Sequence, residues 1–353
     1  MTASGPEDPA LDRAAIRRWM DEQELGSGPL STFEPLSGGT QNVMVAFERA
    51  GRRYVLRRGP KHLRPRSNRN ISREITLLAS LASTSVPHAR LIAACEDPTV
   101  LHGAIFYLME PVDGFNARVA LPDRWEHDIA IRHRAGLALV EALATLGAVD
   151  HERVGLGGFG KPDNFLERQV DRWMGELDSY STLPGYAGPE IDGLDRVAAW
   201  LTDNRPSSWS PGILHGDYHV ANVMFRPDRG EVAAIVDWEM STIGDPVLDL
   251  GQLIAVWPEG SGTDLIGSAL ARAGGLPAAD ELVVHYGERS ARDLSAIDWY
   301  VVLGCFKLGI VLEGTYARAQ AGKADPATGM ALHATTLALF ARARQRISGR
   351  SQA

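Results

Sequence analysis

Cysteine is nearly absent: Cys95 and Cys305 are the only two in 353 residues. Two thiols cannot build a disulfide framework or a thiolate zinc site, so a reducing cytoplasm is the expected compartment. Long apolar runs are missing too, and no stretch approaches the roughly 20 residues needed to span a bilayer. There is no excess of base: 36 Lys and Arg against 44 Asp and Glu leave a net charge of −8, which argues against nucleic acid as a partner. The opening MTASGPEDPA has no apolar signal-peptide core, and residues 1–10 read as a disordered leader. A Walker A sequence is also lacking, since neither Gly160-Lys161 nor Gly322-Lys323 is followed by Ser or Thr.

What is there changes character along the chain. LDRAAIRRWMDEQEL has helical spacing of its apolar residues. Short strands then follow at Phe33–Leu36, Val43–Phe47 and Tyr54–Arg57, the last two joined by a tight Ala50-Gly51 turn. ISREITLLASLA predicts an amphipathic helix, and Ala89–Ala94 and Ala104–Met109 predict further strands. Beyond Glu110–Gly114 the pattern turns to long helices at Asp128–Gly147, Asn164–Tyr180 and Glu190–Asp203, with several more between Leu265 and Ile347. One hairpin, ANVMF and VAAIVDW around Arg226–Gly230, carries the only strands expected in this half. The fold class is therefore α+β and bilobal: a β-rich N-lobe with one internal helix over residues 11–109, a hinge at 110–114, and a mainly helical C-lobe over 115–353.

GLGGFG at 155–160 matches a dinucleotide-binding fingerprint, but that motif works only between a parallel strand and the helix it opens. Here a long helix precedes it, so it reads as a helix-to-helix connection.

The chemistry concentrates in HGDYHVANVMF, residues 215–225. His215, Asp217 and His219 could be metal ligands of a hydrolase. The same letters also spell His-x-Asp with Asn222 five residues after the Asp, as in a kinase catalytic loop. Phosphoryl transfer needs a group to take the acceptor's proton, a magnesium site and a triphosphate cradle. Asp217 suits the first role. Asn222 and Asp237, which ends an apolar strand across the hairpin, can share a hard cation through oxygen ligands. Upstream, Ser37-Gly38-Gly39-Thr40 can bring backbone N–H groups over phosphates. Arg57 stands where a kinase carries its phosphate-binding lysine, Glu74 on the next helix can pair with it, and Lys61 is the fallback. Glu110 and Val112 can offer backbone groups to adenine. Nine Lys or Arg and no acid lie between Gly51 and Arg73, an asymmetry that suits phosphates or a solvated face equally.

SGGTQN, YVLRR, SREITLL, FYLMEPVDG, HGDYHVANVMF and VDWEMSTIGDPVLDLG resemble the aminoglycoside phosphotransferase/choline-kinase branch of the protein-kinase-like superfamily. FGKPDNFLERQVDRW, STIGDPVLDL and YVVLGCFKLGIVLEGTYARAQAG are similar to one subgroup, the N-terminal kinase domain of acyl-CoA dehydrogenase family members 10 and 11 and its stand-alone bacterial relatives. The likeness covers about residues 30–325, and Arg at position 57 is usual in that subgroup. It implies ATP and Mg2+ as cofactors, Asp217 as catalytic base, Asn222 and Asp237 as metal ligands, and Asp249 as a brace for the catalytic loop.

The reading is a small-molecule kinase acting on a hydroxyl acceptor, with no nucleic-acid or membrane partner. The acceptor stays open between a hydroxyacyl-CoA or related hydroxy acid, which the subgroup resemblance suggests, an aminoglycoside, and a choline-type amino alcohol. The last needs an aromatic cage, for which Trp173, Trp238, Trp257, Trp299 and Tyr300 are the candidates. A catalytically silent pseudokinase is the rival of another class, although base and metal ligands are all in place.

Overall fold

The computed structural model describes residues 11–36, 42–258, 265 and 267–350. The chain divides into two compact units, residues 1–113 and 114–353.

The first unit runs α1 (Arg13–Glu22), β1 (Ser31–Pro35), β2 (Val43–Arg49), β3 (Arg52–Arg58), α2 (Ser67–Leu81), β4 (Leu91–Cys95) and β5 (Phe106–Met109). Its strands form one five-stranded antiparallel sheet in the order β1-β2-β3-β5-β4. Alternation sorts the side chains between faces. Val45, Phe47, Tyr54, Leu56, Phe106 and Leu108 point to one face and pack with Ile16, Trp19 and Met20 of α1. The helix α2 buries Ile71, Ile75, Leu77, Leu78 and Leu81.

The second unit runs α3 (Asp123–His127), α4 (Ile129–Gly147), α5 (Gln169–Ser179), α6 (Leu194–Asp203), β6 (Gly212–Leu214), β7 (Val223–Phe225), β8 (Val232–Ile235), β9 (Thr242–Gly244), α7 (Val247–Val256), α8 (Ala269–Ala273), α9 (Ala279–Gly287), α10 (Ile297–Gln320) and α11 (Pro326–Arg350). The expected hairpin is β7–β8. A second antiparallel pair, β6–β9, corrects the expectation of a single hairpin in this half. The helix expected from Asn164 begins only at Gln169; Asn164 itself adopts a left-handed backbone (φ 51°), and residues 165–168 form turns. The 155–160 segment is made of turns following α4, as expected of a connection.

One crossing matters for the site. A Cβ at Gly251 of α7 would collide with the Tyr300 backbone of α10, and one at Gly304 would lie 2.8 Å from the Gln252 Cα. The two helices therefore touch backbone to backbone, and side chains beside the crossing meet at short range. No helix among the described residues is long and apolar enough to cross a membrane.

Candidate active site

Strand register builds a charged cluster in the first unit. Because Tyr54 and Leu56 face α1, Arg57 turns to the opposite face. It lies opposite Met44 on β2 and Tyr107 on β5, and all three side chains converge. Arg57 Nε lies 2.9 Å from Glu74 Oε2, and its Nη2 donates to Oε1 at 3.2 Å. The Tyr107 hydroxyl donates to Glu74 Oε2 at 2.9 Å, and Arg57 Nη1 approaches Met44 Sδ at 3.6 Å. Arg57 is 6% exposed and Glu74 2%, so a guanidinium–carboxylate fork is fixed out of water. Lys61 is exposed in the loop after β3.

In the second unit the expected chemistry lies on the loop that β6 delivers. Asp249 of α7 accepts the backbone N–H groups of His215 at 2.5 Å and Gly216 at 2.9 Å, the bracing that the family resemblance implies. Gly216 has φ 82°, and a Cβ there would collide with the Met240 carbonyl oxygen, so only glycine makes this turn. His215 is fully buried; its Nε2 donates to the Val236 carbonyl at 2.9 Å and its Nδ1 accepts the Asp217 N–H at 3.2 Å. Burial pushes its pKa down, so the ring stays neutral with both nitrogens committed. His219 Nδ1 accepts the Ala221 N–H at 3.2 Å, which turns Nε2 toward Asp217. Among the described residues, no group of three or more His, Cys, Asp or Glu comes together as a metal site. The hydrolase alternative loses its ligand set: His215 belongs to the scaffold.

Asp217 is where the loop's hydrogen bonds end. Its Oδ1 accepts from Gln252 Nε2 at 2.9 Å and its Oδ2 from Asn222 Nδ2 at 3.1 Å, with His219 Nε2 at 3.5 Å from Oδ2. The side chain remains 31% exposed, so it is held yet reachable. Burial pushes the carboxyl up. The hydrogen bond from His219 and the positive charge of Lys307 counter that and hold it below the ordinary carboxylate range.

The β7–β8 hairpin sets the remaining pair. Asn222 precedes β7 and accepts the Val236 N–H at 2.9 Å, which puts Asp237 next to it across the turn. Asn222 Nδ2 also donates to the Asp217 carbonyl at 2.8 Å, so the amide nitrogen is occupied and the amide oxygen faces away from Asp217. Asp237 leaves β8 in a left-handed conformation (φ 66°), which Asp adopts more readily than most residues with a Cβ. An amide oxygen and a carboxylate on neighbouring backbone would suit a hard cation of the magnesium type.

The other expected residues are less informative. Ser37, Gly38, Gly39 and Thr40 lie outside the described residues, as do residues 1–10. Glu110 follows β5; its backbone N–H goes to the Arg90 carbonyl at 2.9 Å and its carboxylate to Arg52 at 3.2 Å, while Val112 is half-buried. Sequence reasoning missed Gln252 and Lys307. Lys307, 5% exposed on α10, donates to the Gly216 carbonyl and to Gln252 Oε1. Its signal was available: a single charge inside the apolar run YVVLGCFKLGIVL.

Comparisons with known proteins give the family and the fold. A family model described as "Phosphotransferase enzyme family" matches residues 32–283. Mouse acyl-CoA dehydrogenase family member 11 is 30% identical over 321 residues, covering 87% of this chain but 40% of that protein, so the chain spans about two fifths of its relative. A solved candidate aminoglycoside phosphotransferase from Ralstonia eutropha superposes with a TM-score of 0.76 at 29% identity, over 95% of this chain and 98% of the other. The same protein-kinase-like fold appears in a thermostable mutant of an aminoglycoside phosphotransferase, in ternary complex with AMP-PNP and hygromycin B. That match has a TM-score of 0.56 at 15% identity and covers 91% and 98%.

Proposed function

The chain belongs to the phosphotransferase enzyme family, and from that premise we propose that it moves the γ-phosphate of ATP to a hydroxyl of a small molecule, a hydroxyacyl-CoA or related hydroxy acid, with magnesium. The observation that carries the reading is Asp217: an ionised carboxylate held by two side-chain amides, open to an acceptor, beside Asn222 and the hairpin that ends in Asp237. In this reading Asp217 orients the acceptor hydroxyl and takes its proton as the oxygen attacks the γ-phosphorus and the bond to the β-phosphate oxygen breaks. The Asn222 amide oxygen and Asp237 would hold magnesium, which when bound neutralises charge on the phosphate oxygens. Arg57, kept in place by Glu74, serves the phosphate-binding position as a fork that never loses its charge. Ser37, Gly38, Gly39 and Thr40 would supply backbone N–H groups to phosphates. Glu110, its N–H already used, and Val112 would face adenine. Cys95 and Cys305 are buried thiols outside any disulfide, in keeping with a cytoplasmic enzyme.

The acceptor class rests on the relatives' acyl-CoA name and on the basic stretch, where Arg64, Arg66 and Arg69 have exposed side chains. A choline-type acceptor is less well supported. Trp173, Trp238, Trp257, Trp299 and Tyr300 are each no more than 5% exposed, and so are core residues rather than walls of an open cage. The test is ATP consumption against panels of hydroxyacyl-CoAs, aminoglycosides and amino alcohols. Turnover confined to the hydroxyacyl thioesters or their acids is expected; turnover confined to aminoglycosides would overturn the assignment. Replacing Arg64, Arg66 and Arg69 together by Ala should weaken CoA-thioester binding about tenfold, the sum of three partly screened charge contacts, without changing ATP affinity. An unchanged thioester affinity removes the basic stretch from the acceptor site.

A further inference from the structure

Lys307 is buried with no acid directly on its ammonium, an arrangement that costs stability and calls for a reason. Its two acceptors give one. The first is the carbonyl of Gly216, whose own N–H is held by Asp249. The peptide groups on either side of Gly216 are therefore pinned by two helices, α7 through Asp249 and α10 through Lys307, and Asp217 is the next residue. The second acceptor is Gln252 Oε1 at 2.6 Å, and the same amide donates from Nε2 to Asp217 Oδ1 at 2.9 Å.

The direction of this amide is dictated by chemistry. An ammonium has only donors and an ionised carboxylate only acceptors, so an amide between them fits one way round. With Oε1 locked on Lys307, Nε2 must face Asp217. A buried Gln flanked by apolar side chains would have no such preference. The backbone contact at Gly251 and Gly304 is what brings the two helices close enough for the bridge, since Gln252 and Lys307 are the neighbours of those glycines on the facing surfaces.

We propose that Lys307 is a positioning residue for Asp217, acting through Gln252 to fix which way the carboxylate points and through Gly216 to fix where its backbone sits. The role rests on the kinase reading for its catalytic meaning and on the hydrogen-bond geometry alone for its existence, and the two are separable. Lys307 does not touch the acceptor in this account; it makes the loop rigid in the orientation that proton transfer needs.

The test has two arms on the full chain. In the first, protein labelled with 15N-glutamine is followed by NMR, with the Gln252 side-chain amide assigned by its loss in Gln252→Leu. Lys307→Met, apolar and of similar length, and Asp217→Asn should each shift that resonance and speed its hydrogen exchange at least tenfold. A resonance indifferent to both changes overturns the proposal whether or not the protein is a kinase. If Lys307→Met does not fold, Lys307→Gln, which keeps a donor but loses the ammonium, decides this arm. In the second arm, Lys307→Met and Gln252→Leu should each lower kcat about tenfold or more with KM for MgATP within about twofold, and the double variant should be no slower than the slower single one. Multiplicative losses, or a change confined to thermal stability, would contradict a positioning role. Wild-type protein that phosphorylates no acceptor defeats the kinase reading and leaves the first arm to judge the bridge.

Discussion

Asp217→Asn is expected to lower kcat by roughly a hundred- to ten-thousandfold, the range for removing a general base, while the protein stays folded and binds MgATP nearly as before. The substitution keeps the shape of the side chain and removes its charge and its proton-accepting oxygen. The remaining amide oxygen can satisfy Gln252 or Asn222 but not both, so part of the loss is orientation. Initial rates at saturating MgATP, alongside thermal unfolding, separate the two contributions from simple destabilisation. The pH behaviour follows in sign. Asp217 has a folded pKa depressed below its ordinary 3.8, so its charge, and the stability that goes with it, is complete above that value and is lost as pH falls through the folded pKa. Any acid limb of kcat/KM near neutrality must come from another group.

Glu74→Ala should be the most damaging substitution in the first unit. It removes the carboxylate from a guanidinium that is 6% exposed, and breaking one partner out of a buried pair costs about 3–5 kcal/mol. Urea unfolding reads that loss directly. The functional effect should be separable from it: without Glu74 the Arg57 fork is no longer aimed, and KM for ATP should rise several-fold in the fraction that remains folded. Glu74→Gln keeps an oxygen for the Tyr107 hydroxyl and should give a smaller loss on both measures. An ATP affinity unaffected by either change would remove Arg57 from the phosphate site.

Much of both clusters was legible in the sequence because their spacing is local. Asp217, Asn222 and Asp237 sit on one loop and one hairpin, so order and turn length alone predict that Asn222 and Asp237 become neighbours. Arg57 and Glu74 follow from strand alternation on β3 and helical phase on α2. What the sequence hid depends on contacts between distant segments. The pair β6–β9 joins three-residue strands at 212–214 and 242–244, too short to show a period of their own. The start of α5 lies later than expected: Asn164 takes a left-handed backbone that no pattern announces, and turns occupy the residues after it. The Lys307–Gln252–Asp217 bridge needs α7 and α10 to touch at Gly251 and Gly304, and two glycines in two apolar helices do not declare themselves as partners.

The central claim, that the loop from His215 to Asn222 and the hairpin to Asp237 transfer phosphate from ATP, is tested most directly by following label from [γ-32P]ATP into an acceptor found by the screen. Wild type, Asp217→Ala and Asp237→Ala are compared in the presence of magnesium. Labelled acceptor is expected with wild type, and a loss of at least about a hundredfold with each variant. Label appearing at wild-type rate in both variants would contradict the claim.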